Sequence, residues 1–188
     1  MWGGKTEALI SRLTRAHLQE VPVMAFNPKG NTRGAADRIT AHSGSWFPAR
    51  TVRDGDEMVE QARAVEVVGI DEVFLLPGGA KAVRALMRMR KKIVVATLDM
   101  DSEGRVWEPV AELLGIAEEV VKCPAVCAVC KKDAYYTFRR GTAPSERVLV
   151  GADDFYEPRC YSCWLRGQEE KEASDGPGSL FSPDWEVE

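Results

Sequence analysis

The chain opens with Met1-Trp2-Gly3-Gly4-Lys5-Thr6-Glu7, the stretch on which the predicted fold depends. Its Gly-Lys-Thr matches the end of the phosphate-loop motif G-x-x-x-x-G-K-[ST]. In that motif backbone N–H groups cradle the phosphates, the Lys reaches the β- and γ-phosphates, and the hydroxyl binds Mg²⁺. The first Gly of the motif would fall before Met1, and the strand that feeds the loop is expected to be missing. A chance Gly-Lys-Thr at a solvated helix start is the alternative interpretation.

The residues that follow the loop favour phosphate binding. Leu9, Ile10 and Leu13 recur at helical spacing, which predicts a helix over residues 6–20. The loop would then lie at a helix N-terminus, where free N–H groups and the helix dipole attract anions. The segment therefore predicts a phosphate site.

Composition and charge restrict the class of protein. The 188 residues are 45% apolar, which is typical of a globular domain with room for a small annex. A net charge of −4 argues against a nucleic-acid-binding protein that depends on phosphate contacts. The chain has no apolar run long enough for a membrane helix and no secretory signal, so we expect a cytoplasmic protein without a membrane partner.

Short apolar strands alternate with helices along most of the chain. This alternation predicts an α/β fold with a parallel sheet flanked by helices on both faces. The predicted strands are residues 21–26, 66–70 and 92–98, and the predicted helices are residues 6–20, 54–64, 80–89 and 109–119. Residues 27–53, rich in Gly, Pro, Asn and Ser, are predicted to form a long loop.

The character of the sequence changes near residue 120. We predict an α/β domain over residues 1–120, without its first strand, and a small cysteine-bearing β unit over residues 121–167. Residues 168–188 are rich in Glu, Asp, Gly and Ser, and we predict that this acidic tail is largely disordered.

Two C-x-x-C pairs, Cys127/Cys130 and Cys160/Cys163, lie in the second unit. Each such turn directs two sulfurs to one point, and four thiolates are the ligands of a structural Zn²⁺. Residues 133–140 and 147–150 alternate like two strands of a ribbon. A redox pair or a chance spacing is the alternative. Four thiolates leave no open coordination position, so the predicted zinc serves folding.

A pair of carboxylates follows the predicted strand 66–70. An Asp at such a strand end, beside a phosphate loop, can hold Mg²⁺, which is the role predicted for Asp71. Glu72 can take a proton from an attacking hydroxyl or position a water molecule. The alternative is a solvated acidic pair at the end of a strand.

In this order, the phosphate loop, the acidic pair and the four cysteines resemble the type II thymidine kinases. These are P-loop kinases with a zinc ribbon and a lasso-shaped loop, and the resemblance extends from residue 1 to about residue 164. The matching stretches are residues 1–6 for G-P-M-F-S-G-K-T, 31–33 for D-x-R, 69–72 for I-D-E-x-Q-F-F and 98–101 for L-D-x-D-F-R-G-x-P-F, followed by 125–130, 134–139 and 151–160.

The resemblance implies a P-loop NTPase-like fold and transfer of the γ-phosphoryl group of ATP to the 5′-hydroxyl of thymidine. Glu72 would be the catalytic base, and Mg²⁺ would accompany ATP. The residues that would bind the phosphates and Mg²⁺ are Gly3, Gly4, Lys5, Thr6, Arg33, Asp71 and Arg139.

The resemblance also implies how the nucleoside is held. The lasso, here residues 150–159, would close over the base, and the zinc ribbon would anchor both ends of this lid. The residues that would line the pocket are Met1, Leu98, Trp107, Thr137 and Tyr156. Assembly as a homotetramer or homodimer is implied as well.

Some positions depart from the family pattern, beginning with the incomplete phosphate loop. Asn31 stands at the Asp of D-x-R, and Ser102 stands at an aromatic position of the base pocket. Three functions are therefore open: a thymidine kinase, a non-catalytic or substrate-shifted nucleotide-binding relative, and a zinc-ribbon interaction module on an inert body. We adopt the first because Lys5, Asp71 and Glu72 are retained.

Overall fold

A computed structural model describes residues 2–31, 36–141 and 155–175. In chain order the elements are α1 (Lys5–Leu18), β1 (Val23–Pro28), β2 (Arg38–Thr40), β3 (Trp46–Val52), α2 (Gly55–Gln61), β4 (Val67–Asp71), α3 (Gly79–Arg88), β5 (Lys92–Ala96), α4 (Glu108–Ile116), β6 (Ala125–Val126), β7 (Asp133–Ala134), β8 (Tyr136–Arg139), β9 (Tyr156–Arg159) and α5 (Tyr161–Asp175). Two short 3-10 turns occupy Ala62–Ala64 and Val73–Leu75. The predicted site residues Met1 and Arg33, the predicted strand 147–150 and lasso residues 150–154 lie outside the described ranges.

Five strands form the main sheet in the order β2-β3-β1-β4-β5. Strands β1, β3, β4 and β5 are parallel, and β2 pairs antiparallel with β3. All five residues of β4 are buried, as expected of a central strand covered on both faces. The strand carboxyl ends meet at one edge of the sheet, and α1 begins at that edge.

Helix α1 covers one face of the sheet. Its Leu9, Leu13 and Ala16 pack against Ala25 and Val67. Gly69 allows this close packing, because a β-carbon at that position would lie 2.5 Å from Leu13 Cδ1. The opposite sheet face is covered by α2, α3 and α4, whose buried residues pack on alternate strand residues. The members of this second core include Phe26, Met58, Val68, Ile70, Val83, Leu86, Val110 and Leu113.

The structure corrects the prediction of a long loop over residues 27–53. Strands β2 and β3 lie within it, and β3 adds a parallel strand to the sheet. The strand was missed because its residues are mostly exposed or half-buried and include Pro48 and Arg50. It lacks the continuous apolar run by which a buried strand is recognised.

The second unit contains two small antiparallel ladders, β6 with β7 and β8 with β9, followed by α5. Helix α5 continues to Asp175, so residues 168–175 differ from the predicted disordered tail. Residues 176–188 lie outside the described part of the chain. The predicted fold class, a parallel sheet flanked by helices with a four-cysteine cluster after it, is confirmed. Among the described helices, none combines the length and apolarity that crossing a membrane would require.

Candidate active site and metal centre

The phosphate-loop residues lead directly into α1. Gly4 occupies the N-cap position with φ 75°, a left-handed conformation that glycine adopts without strain. Gly3, Gly4, Lys5 and Thr6 are all half-buried, so they remain accessible to a ligand. Glycine has no side chain that could cap these amides. This end of α1 therefore offers backbone N–H groups to an anion.

Gly3 lies against the start of the cysteine-bearing unit. A β-carbon at residue 3 would be 2.1 Å from the carbonyl oxygen of Cys123. Only glycine fits this approach. The contact was not predicted from the sequence, because the two residues are far apart in the chain and no motif links them.

Asp71, the last residue of β4, faces the first turn of α1. Its carboxylate Oδ1 lies 3.5 Å from the Thr6 hydroxyl oxygen, at the outer limit of a hydrogen bond. Both Asp71 and Glu72 are buried. The structure thus brings together two of the residues predicted to hold Mg²⁺.

The environment of Asp71 disfavours its charged form. Burial raises the pKa of its carboxyl group to about 7, and the neighbouring Glu72 carboxylate adds to the rise. The Lys5 ammonium, the Glu72 amide and the Thr6 hydroxyl oppose the shift. A pKa near neutrality in a buried carboxylate pair is characteristic of functional sites.

Glu72 has an unusual backbone conformation for a residue with a side chain. Its φ of 48° and ψ of 48° place it in the left-handed region, and its amide donates to the Ala96 carbonyl at 2.7 Å. This conformation turns the chain sharply between β4 and the Val73–Leu75 turn. Such a conformation in a non-glycine residue costs about 1–2 kcal/mol, and strained residues cluster at functional sites.

The donor set at this edge fits Mg²⁺. The hydroxyl of Thr6 and the carboxylates of Asp71 and Glu72 are all oxygen ligands, the class that this hard cation prefers. Two buried carboxylates side by side also need a compensating cation when both are ionised. Lys5 precedes Thr6 on the same turn and contributes positive charge near Asp71.

Arg139 and Tyr156, from facing strands, are brought together. They are register partners in the β8–β9 ladder, and Arg139 Nη2 donates to the Tyr156 hydroxyl at 3.1 Å. Thr137 lies two residues before Arg139 on β8 and is half-buried. Three residues predicted to contact phosphate, sugar or base therefore share one small ladder.

Leu98 and Trp107 lie beyond the carboxyl end of β5. Leu98 is half-buried. The Trp107 ring packs on Phe74 with centroids 5.1 Å apart, and it borders the core beneath α2–α4. Trp107 is the N-cap residue of α4, and its amide donates to the Asp99 carbonyl at 3.1 Å.

The four predicted zinc ligands converge. The sulfurs of Cys127, Cys130, Cys160 and Cys163 all lie within 4.8 Å of one another. Zinc–sulfur bonds of about 2.3 Å in a tetrahedron put sulfurs about 3.8 Å apart, so this cluster can hold Zn²⁺ with little adjustment. The Ala128 amide donates to the Pro158 carbonyl at 2.9 Å, joining the first pair of cysteines to β9.

The turn formed by residues 101–105 was also missed as a structural feature of the site. Asp101 is buried, and its Oδ1 accepts hydrogen bonds from the amides of Glu103 and Arg105 at 3.0 and 2.9 Å. Gly104 has φ 77°. The Asp-x-x-Gly spacing is a turn signal that could have identified this feature.

Comparison with known proteins agrees with the geometry of the site. Residues 1–164 match the family model described as thymidine kinase. The chain is 35% identical over 165 residues to the thymidine kinase of a Rhodothermus species, an alignment that covers 87% of this chain and 77% of that protein. It is 36% identical over 166 residues to the thymidine kinase of Coprothermobacter proteolyticus, covering 85% of this chain and 84% of that protein. The family recognised in the sequence is confirmed: the chain belongs to the thymidine kinase family.

Proposed function

We propose that the protein transfers the γ-phosphoryl group of ATP to the 5′-hydroxyl of thymidine, giving thymidine monophosphate for nucleotide salvage in the cytoplasm. The observation that carries the proposal is the meeting of α1 and β4, where the Thr6 hydroxyl lies 3.5 Å from Asp71 and the buried Glu72 follows directly. Family membership supports the same reaction.

Each residue at this edge has a distinct role in the proposal. The N-terminal amides of α1 and the Lys5 ammonium bind the β- and γ-phosphates. Thr6 and Asp71 hold Mg²⁺, which when bound offsets part of the triphosphate charge. Glu72 accepts the proton of the 5′-hydroxyl as that oxygen attacks the γ-phosphorus, and the bond from this phosphorus to the bridging oxygen breaks so that ADP leaves. Phosphoryl transfer depends mainly on such positioning and charge compensation.

The nucleoside side of the proposal rests on the second unit. Thr137 contacts the base and Tyr156 lies near the sugar, while Leu98 and Trp107 line the opposite wall. Arg139 faces the phosphates, and its hydrogen bond to the Tyr156 hydroxyl couples that role to the sugar side. The zinc cluster secures β9 at the end of the proposed lid. Assembly into dimers or tetramers remains a prediction.

The decisive experiment measures phosphoryl transfer from Mg-ATP to thymidine by the wild-type chain and by Glu72→Gln. We expect thymidine monophosphate from the wild type and a loss of about 10²–10⁴-fold in kcat for the variant, with ATP binding retained, because a positioned base contributes a factor of that size. No product from the wild type, or equal rates in the two proteins, would contradict the proposal.

One observation favours a second candidate, the same reaction on a different nucleoside. The aromatic ring of Trp107 packs against Phe74 and the core, and Ser102 stands at the other aromatic position of the base pocket. A panel of pyrimidine and purine deoxynucleosides at fixed Mg-ATP tests this candidate. A higher kcat/KM for a nucleoside other than thymidine would establish the substrate shift.

A further inference from the structure

Helix α5 extends beyond the part of the chain that matches the family. The family match ends at residue 164, whereas the helix runs to Asp175. Residues 165–175 therefore carry no role by resemblance. Their contacts reach two separate elements of the proposed nucleoside pocket.

One side of α5 binds the turn of residues 101–105. Trp164 Nε1 and Gln168 Nε2, which are one helical turn apart, both donate to the Ser102 carbonyl oxygen at 3.0 Å. The Trp164 ring also lies against Gly104, where a β-carbon would be 3.1 Å from the indole. Hydrogen bonds from the Glu103 and Arg105 amides to the buried Asp101 carboxylate hold the turn together as one unit. A shift of α5 would therefore move the whole turn.

The following turns of α5 bind strand β8. Lys171 Nζ donates to the Arg139 carbonyl oxygen, and the same ammonium lies 4.2 Å from the centroid of the Phe138 ring. Gly167, one turn earlier, lets the helix approach this ring, because a β-carbon there would be 2.6 Å from Phe138 Cε2. Lys171 thus contacts the strand that presents Thr137 and Arg139.

These two sets of contacts have a common consequence. The 101–105 turn lies between Leu98 and Trp107 in the chain, and β8 carries Thr137. In the proposed function these residues line the two walls of the nucleoside pocket. Gln168 donates a hydrogen bond to the turn and Lys171 donates one to β8, from neighbouring positions on one helix. The separation of the two walls is therefore set by α5.

We propose that Gln168 and Lys171 are positioning residues for the nucleoside, which hold the 101–105 turn and strand β8 at the separation that the substrate requires. This proposal rests on the proposed function. Gln168 acts on the wall that carries Leu98 and Trp107, and Lys171 acts on the strand that carries Thr137 and Arg139.

The test compares Lys171→Met and Gln168→Met with the wild type. Each variant removes the N–H donor and keeps an unbranched side chain. We expect the KM for thymidine to rise about three- to tenfold in both variants, as for loss of a partly exposed hydrogen bond. In Gln168→Met, kcat and the KM for ATP should stay within about twofold of the wild-type values. Lys171→Arg retains a cationic donor and should restore the wild-type KM.

The matched control is Lys91→Met. Lys91 Nζ also donates to backbone carbonyls, those of Arg63 and Val65 at 2.8 and 2.5 Å, but at the opposite end of the parallel strands. Lys91→Met should leave the KM for thymidine and the KM for ATP unchanged. Lys171→Met and Lys91→Met both remove hydrogen bonds from a lysine to backbone carbonyls. A KM effect in Lys171→Met alone would therefore come from the position of the bond and not from general loss of stability.

Amide hydrogen exchange supplies a readout independent of catalysis. In Lys171→Met the amides of β8 and β9 should exchange faster than in the wild type. In Gln168→Met the amides of residues 101–105 should exchange faster than in the wild type. A lowered melting temperature with unchanged KM for thymidine would overturn the positioning role, as would unchanged exchange. If the wild type transfers no phosphoryl group, the proposed function fails and exchange alone decides whether α5 fixes the two walls.

Discussion

Gly3 lies in contact with the backbone carbonyl of Cys123, so the phosphate loop and the cysteine-bearing unit meet at a point where no side chain fits. A β-carbon at residue 3 would be 2.1 Å from that oxygen and 2.9 Å from its carbon. Backbone atoms cannot move aside as a flexible side chain can. The relative position of the loop and the second unit therefore depends on this glycine.

Gly3→Ala should separate the loop from residue 123. We expect a loss of about 1–3 kcal/mol in the free energy of unfolding, typical of overpacking, together with a higher KM for ATP. Urea denaturation and steady-state kinetics measure the two effects. The control is Gly115→Ala in α4, where a β-carbon meets open space and the helix should gain up to about 1 kcal/mol. Equal effects of the two changes would contradict the prediction.

The pKa of Asp71 predicts how stability depends on pH. Because burial raises that pKa to about 7, above its value in the unfolded chain, folding takes up a proton at intermediate pH. The stability contributed by the neutral carboxyl is fully present below about pH 4 and is lost as the pH rises through about 7.

Asp71→Asn should remove this dependence in protein without bound nucleotide or metal. The variant should unfold at a urea concentration close to that of the wild type at pH 4–5, and at a higher one at pH 8. The gain scales as about 1.4 kcal/mol for each unit of pKa shift. Asp56→Asn, at an exposed carboxylate, should keep the wild-type dependence. A constant difference between Asp71→Asn and wild type across this range would refute the assignment.

The left-handed conformation of Glu72 predicts a conflict between stability and activity. Glu72→Gly relieves the strain and should raise the free energy of unfolding relative to Glu72→Gln by about 1 kcal/mol, while both variants lose phosphoryl transfer. Glu20 has a φ of 59° at the end of α1 and provides the matched control. Glu20→Gly should give a similar stabilisation with full activity, as measured by thermal unfolding and kcat.

Zinc binding predicts a defined stoichiometry. The purified protein should contain one Zn²⁺ per chain, measured by atomic absorption, because four sulfurs lie within 4.8 Å of one another. Cys160→Ser should lose the metal and lower the melting temperature, since binding energy at such sites is also folding energy. Cys123→Ser changes the cysteine outside the cluster, and this variant should keep the bound zinc and the wild-type melting temperature. Retention of zinc by Cys160→Ser would argue against a four-thiolate site.

The sequence allowed the central part of the sheet and the start of α1 to be predicted, because their signals are local. Apolar spacing located α1, a continuous apolar run located β4, and the C-x-x-C pairs located the four-cysteine cluster. Strand β3 escaped because a half-exposed strand with a proline resembles a loop. Its place in the sheet is fixed by pairing with β1, a contact that no local pattern records.

The length of α5 could not be predicted for a related reason. Gly167 and the run of charged residues after it weaken the helix signal, yet Gly167 is required for the approach to Phe138. Gln168 and Lys171 resemble ordinary surface residues in the sequence. Their importance becomes visible only when their partners, Ser102 and Arg139, are brought near by the fold.

The position of α5 in the chain has a consequence for how the molecule is made. A ribosome adds about 5–20 residues per second, and domains generally begin to fold as they emerge. The sheet and the 101–105 turn are synthesised several seconds before Gln168 and Lys171. A nascent chain can therefore form the edge where α1 meets β4 while the walls of the proposed nucleoside pocket are still unfixed. Full affinity for the nucleoside would then be one of the last properties a newly made molecule acquires.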